Sequence, residues 1–564
     1  MINICGGLKS IFIRAAYSNQ TNVDMKRIIA FSAFCCALSA GAVVTPARII
    51  QDGMVVEYSK PLTLWGTADP NETFDVKINR SRKARVKADA DGNWEVKLPA
   101  LKPGGPYTIQ IGDKTISDVL SGDVVLCSGQ SNMELYVYRV EDMYGDTISK
   151  YSNDKVRQFI APKEIAFDGP QADLNGGSWV KTSPSSSANF SALGYFIAME
   201  MNARTGRPVG IINCSWGGTP VEAWMSEKSL TGYQKQLAQL KIDRDAGYRE
   251  RVTDAEREKQ WRWNAALWAG DPGRKEHWEA KSTDVSGWTN VDILRDRSWT
   301  NDGVSNIGGS HWFVKKVNVP ADLASQPATL RMGVLVDSDS TYVNGEFVGT
   351  VSYCYPPRKY KLRDGLLQPG ENTIAVRLVS NGGRGEFIPE KPYKIVFADG
   401  NEVSLEGNWK YRQGMRMPVA PGSTFWCYSP TVLYNSMIAP LSRYAVGNVV
   451  WYQGESNVSN RNQYGDLLTR MVSLWRDDRN DSALPFHVVE LANYMPESDV
   501  YGRKAWAEMR EVQKSTCDAL ANCELVENYD LGEWNDIHPL DKMTLARRVV
   551  AKMPLKAVKS KKKK

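Results

Sequence analysis

The chain has 564 residues, of which 42% are hydrophobic and 24% are charged. This length predicts about three or four domains, and the composition is that of a globular protein. The net charge of +6 is small for this length, and part of it lies in the Lys-rich segment 557–564, so the sequence gives no indication of a nucleic-acid partner. Eighteen Trp and 24 Tyr residues are a weak indication of carbohydrate contacts.

The N-terminal segment 1–42 contains the pattern of an export signal. A basic start at 25–27 is followed by an apolar run at 28–38 and by the small residues Ala-Gly-Ala at 40–42. The apolar run is too short to span a membrane, and no other stretch resembles a transmembrane helix. We therefore expect translation to start at Met25, and the mature protein to be exported to the periplasm or secreted.

Residues 43–118 have the regularly spaced short strand patterns of a small β-sandwich. Short segments of alternating apolar and polar residues are separated by turn-forming residues. These segments are 62–66, 74–78, 94–98 and 107–111.

From residue 119 the pattern changes to strands that alternate with helices, which predicts an α/β domain with a largely parallel sheet. This domain is predicted in two parts, 119–271 and 416–556. Strand patterns separated by turn-forming residues recur between these two parts, and we interpret 272–415 as an inserted β-sandwich. The predicted α/β elements are helices at 191–204, 464–475, 506–517 and 541–552, and strands at 209–213, 449–451, 486–491 and 524–526.

The sequence Cys-Ser-Gly-Gln-Ser-Asn-Met at 127–133 follows the apolar run 124–126. A serine on a tight glycine turn after a buried strand is a common position for a nucleophile, because the turn exposes Oγ. The alternative is an ordinary strand-to-helix turn in which Ser131 caps the helix.

A serine nucleophile needs a base, and histidine is the usual one. The chain has four histidines. His277 and His311 lie in or beside the inserted β-sandwich, and His487 lies in a predicted strand, where a packed core histidine is expected. His538 lies on a loop before the last predicted helix and is the remaining candidate base.

An oxyanion hole needs hydrogen-bond donors near the nucleophile. One candidate loop follows the strand at 209–213 and contains Gly217 and Gly218. The other follows the strand at 449–451 and carries the side-chain amides of Gln453 and Asn457. Ligands of open α/β sheets bind at the carboxyl ends of the strands, where both loops are expected. Ordinary connecting loops remain the alternative for each.

Three motifs in this order resemble the sialate O-acetylesterase family of the SGNH hydrolases. They are Gly-Gln-Ser-Asn-Met at 129–133, Trp-x-Gln-Gly-Glu-Ser-Asn at 451–457 and Asp-Ile-His-Pro at 536–539. The resemblance implies a flavodoxin-like α/β hydrolase domain and a serine acyl-enzyme mechanism for removing acetyl groups from O-acetylated sugars, without a metal or other cofactor. It also implies that the inserted block is similar to the jelly-roll sugar-binding domains of glycoside hydrolases.

The resemblance also implies roles for individual residues. Ser131 would be the nucleophile and His538 the base. The oxyanion would be bound by the N–H groups of Ser131 and Gly217 and by an amide of Gln453 or Asn457. The residues expected at the substrate are Gln130, Asn132, Trp216 and Glu455.

The position of the acid that orients His538 departs from the common SGNH pattern. Many SGNH enzymes have an aspartate three residues before the histidine, but Asn535 occupies that position here. We predict Asp536 instead. Alternative acids are Asp530, Glu533 and Glu455, and a Ser–His dyad with a backbone carbonyl also fits.

Two other functions are compatible with parts of the sequence. A glycoside hydrolase would use carboxylates such as Glu455 and Glu533, and a glycan-binding protein would not use the Ser–His pair at all. Neither accounts for the three ordered motifs.

Overall fold

The computed structural model describes residues 44–79, 82–295, 307–382 and 385–555. The predicted export signal and the Lys-rich tail lie outside these residues. Among the helices of the described ranges, none combines the length and apolar character needed to cross a bilayer.

The N-terminal part is built from strands, as predicted. They are β1 (Thr45–Pro46), β2 (Val55–Glu57), β3 (Leu62–Thr67), β4 (Thr73–Ile78), β5 (Arg82–Lys87), β6 (Asn93–Leu98), β7 (Gly104–Ile111) and β8 (Lys114–Gly129). Strand β8 pairs with β7 and β2 through its first half and continues into the next sheet through its second half. The expected boundary at residue 118 therefore falls inside one continuous strand.

The α/β part begins at the end of β8. Its first elements are α1 (Ser131–Glu134), α2 (Glu141–Ile148), β9 (Asn153–Ile160), β10 (Ser178–Thr182), α3 (Ala192–Thr205), β11 (Val209–Ser215), α4 (Gln234–Asp243) and α5 (Ala246–Gly270). Helix α6 (Pro272–Lys275) follows α5 at the start of the next segment of the chain. Helix α3 confirms the prediction for 191–204. The Ser191 hydroxyl accepts a hydrogen bond from the Gly194 N–H at its start, and Gly206 ends it with a φ of 68°.

Strands between residues 289 and 418 form sheets of their own, with the order β12-β23-β13-β19-β16-β17 in one and β18-β14-β21-β22 in another. Their bounds are β12 (Thr289–Asp292), β13 (Ile307–Val319), β14 (Ala328–Met332), β15 (Leu335–Val336), β16 (Ser338–Val343), β17 (Glu346–Val351), β18 (Lys359–Leu362), β19 (Gly370–Ser380), β20 (Glu386–Phe387), β21 (Tyr393–Phe397), β22 (Glu402–Ser404) and β23 (Asn408–Pro418), with helix α7 (Ala321–Ala324) after β13. We call residues 272–415 the inserted block. Asp271, at the end of α5, forms a buried ion pair with Arg377 of β19 at 2.7 Å.

The chain then returns to the α/β part. The remaining elements are β24 (Asn448–Tyr452), α8 (Arg461–Asp478), β25 (Phe486–Val489), α9 (Val500–Ala519), β26 (Cys523–Val526) and α10 (Lys542–Lys552). Short 3-10 helices lie at Val137–Val140, Val221–Trp224, Lys228–Leu230, Trp426–Tyr428, Ala439–Leu441, Glu455–Asn460 and Tyr529–Leu531, with a π-helical turn at Tyr434–Ile438.

The two parts of the α/β region complete one sheet, in the order β10-β9-β11-β8-β24-β25-β26. Every pair on this path is parallel except β10 with β9. Gly129, at the end of β8, pairs with Ser215 on one side and with Tyr452 on the other. The loops after β8, β11 and β24 therefore leave the sheet side by side.

Candidate active site

Ser131 follows the sharp turn at the end of β8. Gly129 has a φ of 136°, and a Cβ at this position would lie only 2.1 Å from the carbonyl oxygen of Tyr452, so the turn requires glycine. Ser131 is the first residue of α1, whose N-cap is Gln130. The interpretation of Ser131 as a helix cap is therefore wrong.

His538 lies against Ser131. Its Nε2 is 2.8 Å from Ser131 Oγ, across 407 residues of sequence. The imidazole is buried, and the ring of Tyr355 packs edge-on against it with 5.0 Å between the centroids. Burial, together with the charges of Arg139 and Lys542, lowers the pKa of His538 to about 3. The ring is therefore neutral at pH 7 and can accept the serine proton through Nε2.

Asp536 is near His538 but does not bond to its side chain. One carboxylate oxygen, Oδ1, accepts the His538 backbone N–H at 2.9 Å and lies 4.0 Å from Nδ1. Nδ1 is buried and has no hydrogen-bond partner among the described residues. Of the other acids considered, Asp530 pairs with Arg548 and Glu533 with Lys391.

Gly217 lies beside the nucleophile. A Cβ built on it would be 3.3 Å from Ser131 Cβ. Its N–H donates to Oε2 of Glu134 at 2.7 Å, while the other oxygen of Glu134 accepts from Lys163 and from the Tyr136 hydroxyl. The Gly217 N–H, which was predicted as an oxyanion donor, thus already donates a hydrogen bond to the Glu134 carboxylate.

The side-chain amides of Gln453 and Asn457, which were predicted as oxyanion donors, bind other protein groups. The Gln453 amide donates to Thr219 O and to Asn457 Oδ1. The Asn457 amide donates to Glu222, and neither residue lines the cavity at Ser131. These buried side chains brace the loop after β24 against the loop after β11.

Three of the residues predicted to contact substrate are also structural. Gln130 accepts hydrogen bonds from the N–H groups of Gly454 and Ser456. The Asn132 amide donates to Glu455 and to the carbonyl of Ile537. Gln130, Asn132 and Glu455 hold the loops together through these hydrogen bonds. None of the three lines the cavity beside Ser131. Burial raises the pKa of Glu455.

Trp216 is half-buried and packs against the core. Its ring lies 5.5 Å below the Lys163 ammonium, and like the other three it does not line the cavity.

A cavity of about 240 Å³ opens above the Ser131–His538 pair. Residues that sequence reasoning missed form its walls, namely Glu134, Tyr136, Tyr138, Arg139, Tyr353 and Tyr355. Tyr353 and Tyr355 come from the inserted block, so two distant parts of the chain line one cavity. A larger cavity of about 640 Å³ lies between residues 60–97 and 442–481, but none of its lining residues is a histidine.

Arg139 is the cationic residue of this cavity. Its guanidinium forms no ion pair within the described ranges, and its buried Nε has no hydrogen-bond partner there. Burial lowers the pKa of Arg139, and the charge of Asp536 opposes this. The side chain remains cationic at neutral pH, as arginine does throughout proteins.

Comparisons with known proteins show which family this chain belongs to. Residues 121–268 and 412–553, more than half of the chain, match the family described as "Carbohydrate esterase, sialic acid-specific acetylesterase". Human sialate O-acetylesterase is 30% identical over 214 residues, and the mouse enzyme is 29% identical over 215. The human match covers 34% of this chain and 40% of the human protein, so the chain matches less than half of that relative's length.

A solved structure supports the same assignment. The crystal structure of a carbohydrate acetylesterase from Xanthomonas citri covers 90% of this chain and 74% of its own, with 25% identity and a TM-score of 0.53. The mixed α/β fold with several sheets is thus similar to that of a known acetylesterase. The chain belongs to the sialic acid-specific acetylesterase family of carbohydrate esterases.

Proposed function

We propose that this protein is a serine esterase that removes O-acetyl groups from sugars, with Ser131 as nucleophile and His538 as base. The observation that carries the proposal is the 2.8 Å distance between Ser131 Oγ and His538 Nε2, at the carboxyl edge of the parallel sheet. A neutral histidine within hydrogen-bond reach of a serine is the arrangement that activates the hydroxyl.

The steps follow from these positions. Nε2 takes the Ser131 proton while Oγ forms a bond to the acetyl carbonyl carbon. The tetrahedral intermediate then breaks its bond to the sugar oxygen, which receives the proton from Nε2. Water repeats the attack on the acetyl-enzyme and releases acetate and free Ser131.

The N–H groups of Ser131 and Gly217 are the proposed oxyanion donors. Gly217 N–H donates to Glu134 in the free protein. The Glu134 carboxylate must therefore withdraw before this N–H can bind the developing oxyanion.

The cavity favours an anionic acetylated sugar, and we propose an O-acetylated sialic acid. Arg139 offers a guanidinium that forms no ion pair within the described ranges, at a wall shared with Ser131 and His538. A guanidinium binds a carboxylate with two parallel hydrogen bonds. The exposed rings of Tyr138 and Tyr353 give the rim apolar faces on which a sugar can pack.

The finer domain organisation belongs to the same proposal. We propose that the α/β part is an SGNH hydrolase domain and the inserted block a jelly roll similar to sugar-binding domains. We propose further that the protein is exported, which would bring it to extracellular or periplasmic glycans.

Acetate release tests this function. We expect the wild-type protein to release acetate from O-acetylated sialic acid and from an aryl acetate. Ser131→Ala should lower both rates about a thousandfold or more. Ser128→Ala, a buried serine of β8, is the matched control and should retain activity. Release of reducing sugar without acetate would instead favour a glycoside hydrolase.

A further inference from the structure

The loop that carries His538 is held by the inserted block. The Asn535 amide donates to Pro389 O at 2.6 Å, and the Trp534 indole donates to Glu390 at 3.1 Å. The third contact is ionic, because the Lys391 ammonium reaches two carboxylates of this loop. The inserted block therefore contacts the three residues that precede Ile537 and His538, and Glu533 before them.

Lys391 lies between Glu533 and Asp536. Its Nζ is 2.6 Å from Glu533 Oε2 and 3.3 Å from Asp536 Oδ2. The side chains of Lys391 and Asp536 are each 11% exposed, so solvent screens this pair weakly. A buried ammonium fixes the position of a carboxylate more firmly than a surface ion pair does.

The two oxygens of Asp536 have different partners. Oδ2 faces Lys391, while Oδ1 accepts the His538 backbone N–H and lies 4.0 Å from Nδ1. The carboxylate is thus held beside the imidazole edge that has no other partner in the described structure. The 4.0 Å separation would have to shorten by about 1 Å for Nδ1–H to donate a hydrogen bond to Oδ1.

We propose that Lys391, contributed by the inserted block, is a positioning residue that holds the Asp536 carboxylate ready to stabilise the His538 imidazolium formed during acyl transfer. This inference rests on the proposed function. It makes the inserted block part of the catalytic machinery, in addition to any contact it makes with sugar through Tyr353 and Tyr355.

The charges around Asp536 give this role a measurable consequence. Burial raises the pKa of Asp536, Lys391 opposes the rise and Glu533 adds to it. Without the Lys391 ammonium, the effects of burial and of the Glu533 charge should raise the pKa of Asp536 further. Asp536 should then become protonated at a higher pH than in the wild type. The other titratable or charged groups that face Asp536 are His538, Arg139, Lys542, Tyr355 and Tyr494.

The test uses the full-length protein with an aryl acetate, which requires no sugar contact. Lys391→Met should lower kcat about ten- to a hundredfold with little change in KM, because a displaced catalytic group loses rate rather than binding. The acid limb of the kcat profile should move to higher pH. Lys391→Arg, which keeps the positive charge, should have the kcat and the pH profile of the wild type. The control is Lys394→Met, which removes the cation paired with Glu402 in the same block and should behave as wild type.

A double-mutant cycle excludes a merely structural role. In an Asp536→Asn background, Lys391→Met should cause no further loss of kcat, because its target charge is already gone. Independent, multiplicative losses would overturn the proposal, as would an unchanged kcat and pH profile in folded Lys391→Met. If Lys391→Met does not fold, Lys391→Gln provides the same comparison. A wild-type protein that releases no acetate would contradict the proposed function itself, whereas an active wild type with an unaffected Lys391 variant contradicts only this inference.

Discussion

At the scale of single residues, the protonation state of His538 is set by its surroundings. Burial is the largest cause that lowers its pKa to about 3, and the positive charges of Arg139 and Lys542 act in the same direction. The ordinary value for histidine is 6.5. The neutral, basic form of His538 is therefore retained in the free protein as the pH falls through 6.5.

This shift predicts the pH dependence of kcat/KM, which reports on the free enzyme. We expect kcat/KM for an aryl acetate to persist below pH 6.5, with the acid limb at lower pH than an ordinary histidine would give. The measurement is a pH series of initial rates. An acid limb centred near 6.5 would show that His538 has the ordinary pKa of a histidine and that burial does not lower it.

Arg139 is the residue that distinguishes an anionic sugar from a neutral one. We expect Arg139→Met to lower kcat/KM for an O-acetylated sialic acid about ten- to a hundredfold, because a charge-assisted bidentate contact is lost. The value for a neutral O-acetylated sugar should change by no more than about twofold.

The comparison needs a matched arginine and two substrates. Arg204→Met removes an exposed arginine of α3 that pairs with Glu200, and it should leave both substrates unaffected. Equal losses for the two substrates in Arg139→Met would mean that Arg139 supports the site generally and does not recognise a carboxylate.

At the scale of elements, Asn132 joins three loops at one buried point. Its amide donates to Glu455 at 2.7 Å and to Ile537 O at 2.8 Å, and its carbonyl oxygen accepts from Lys542 at 2.8 Å. Burial lowers the pKa of Lys542 to about 7. These contacts therefore fix four segments relative to one another: the turn that carries Ser131, the loop after β24, the loop that carries His538 and the start of α10.

Breaking this junction should reduce stability as well as activity. Asn132→Ala leaves the Glu455 carboxylate and the Lys542 amine buried without their amide partner, which we expect to cost about 2–4 kcal/mol of unfolding free energy. Urea unfolding measures the loss, and Asn175→Ala, at an exposed asparagine, is the control. A loss below about 0.5 kcal/mol would show that the junction does not hold these loops.

At the scale of the whole molecule, the sequence predicted the α/β elements well where apolar residues had a clear period. Helices α3, α8, α9 and α10 and strands β11, β24, β25 and β26 confirm those predictions, whereas β9 and β10 were not predicted. Helix α5 was missed because Trp263 and Leu267 are its buried residues, so its 25 residues have no apolar face to detect.

The site was predictable only in part, for a similar reason. Ser131 and His538 carry local signals, a glycine turn and a loop histidine, and the structure brings them together. Arg139, Tyr355 and Lys391 carry none, because their importance comes from contacts between distant segments. Lys391, for example, is 145 residues from Asp536 in sequence. The sequence also does not reveal that the amides of Gln453 and Asn457 form hydrogen bonds with groups of these loops.

The central claim is that Ser131 is the nucleophile of an acyl-enzyme. Its most direct test is covalent labelling with a fluorophosphonate, followed by peptide mass spectrometry. We expect about one label per chain, located on Ser131, retained in Ser128→Ala and absent in Ser131→Ala. A label on another residue, or an unlabelled protein that still releases acetate, would contradict the claim.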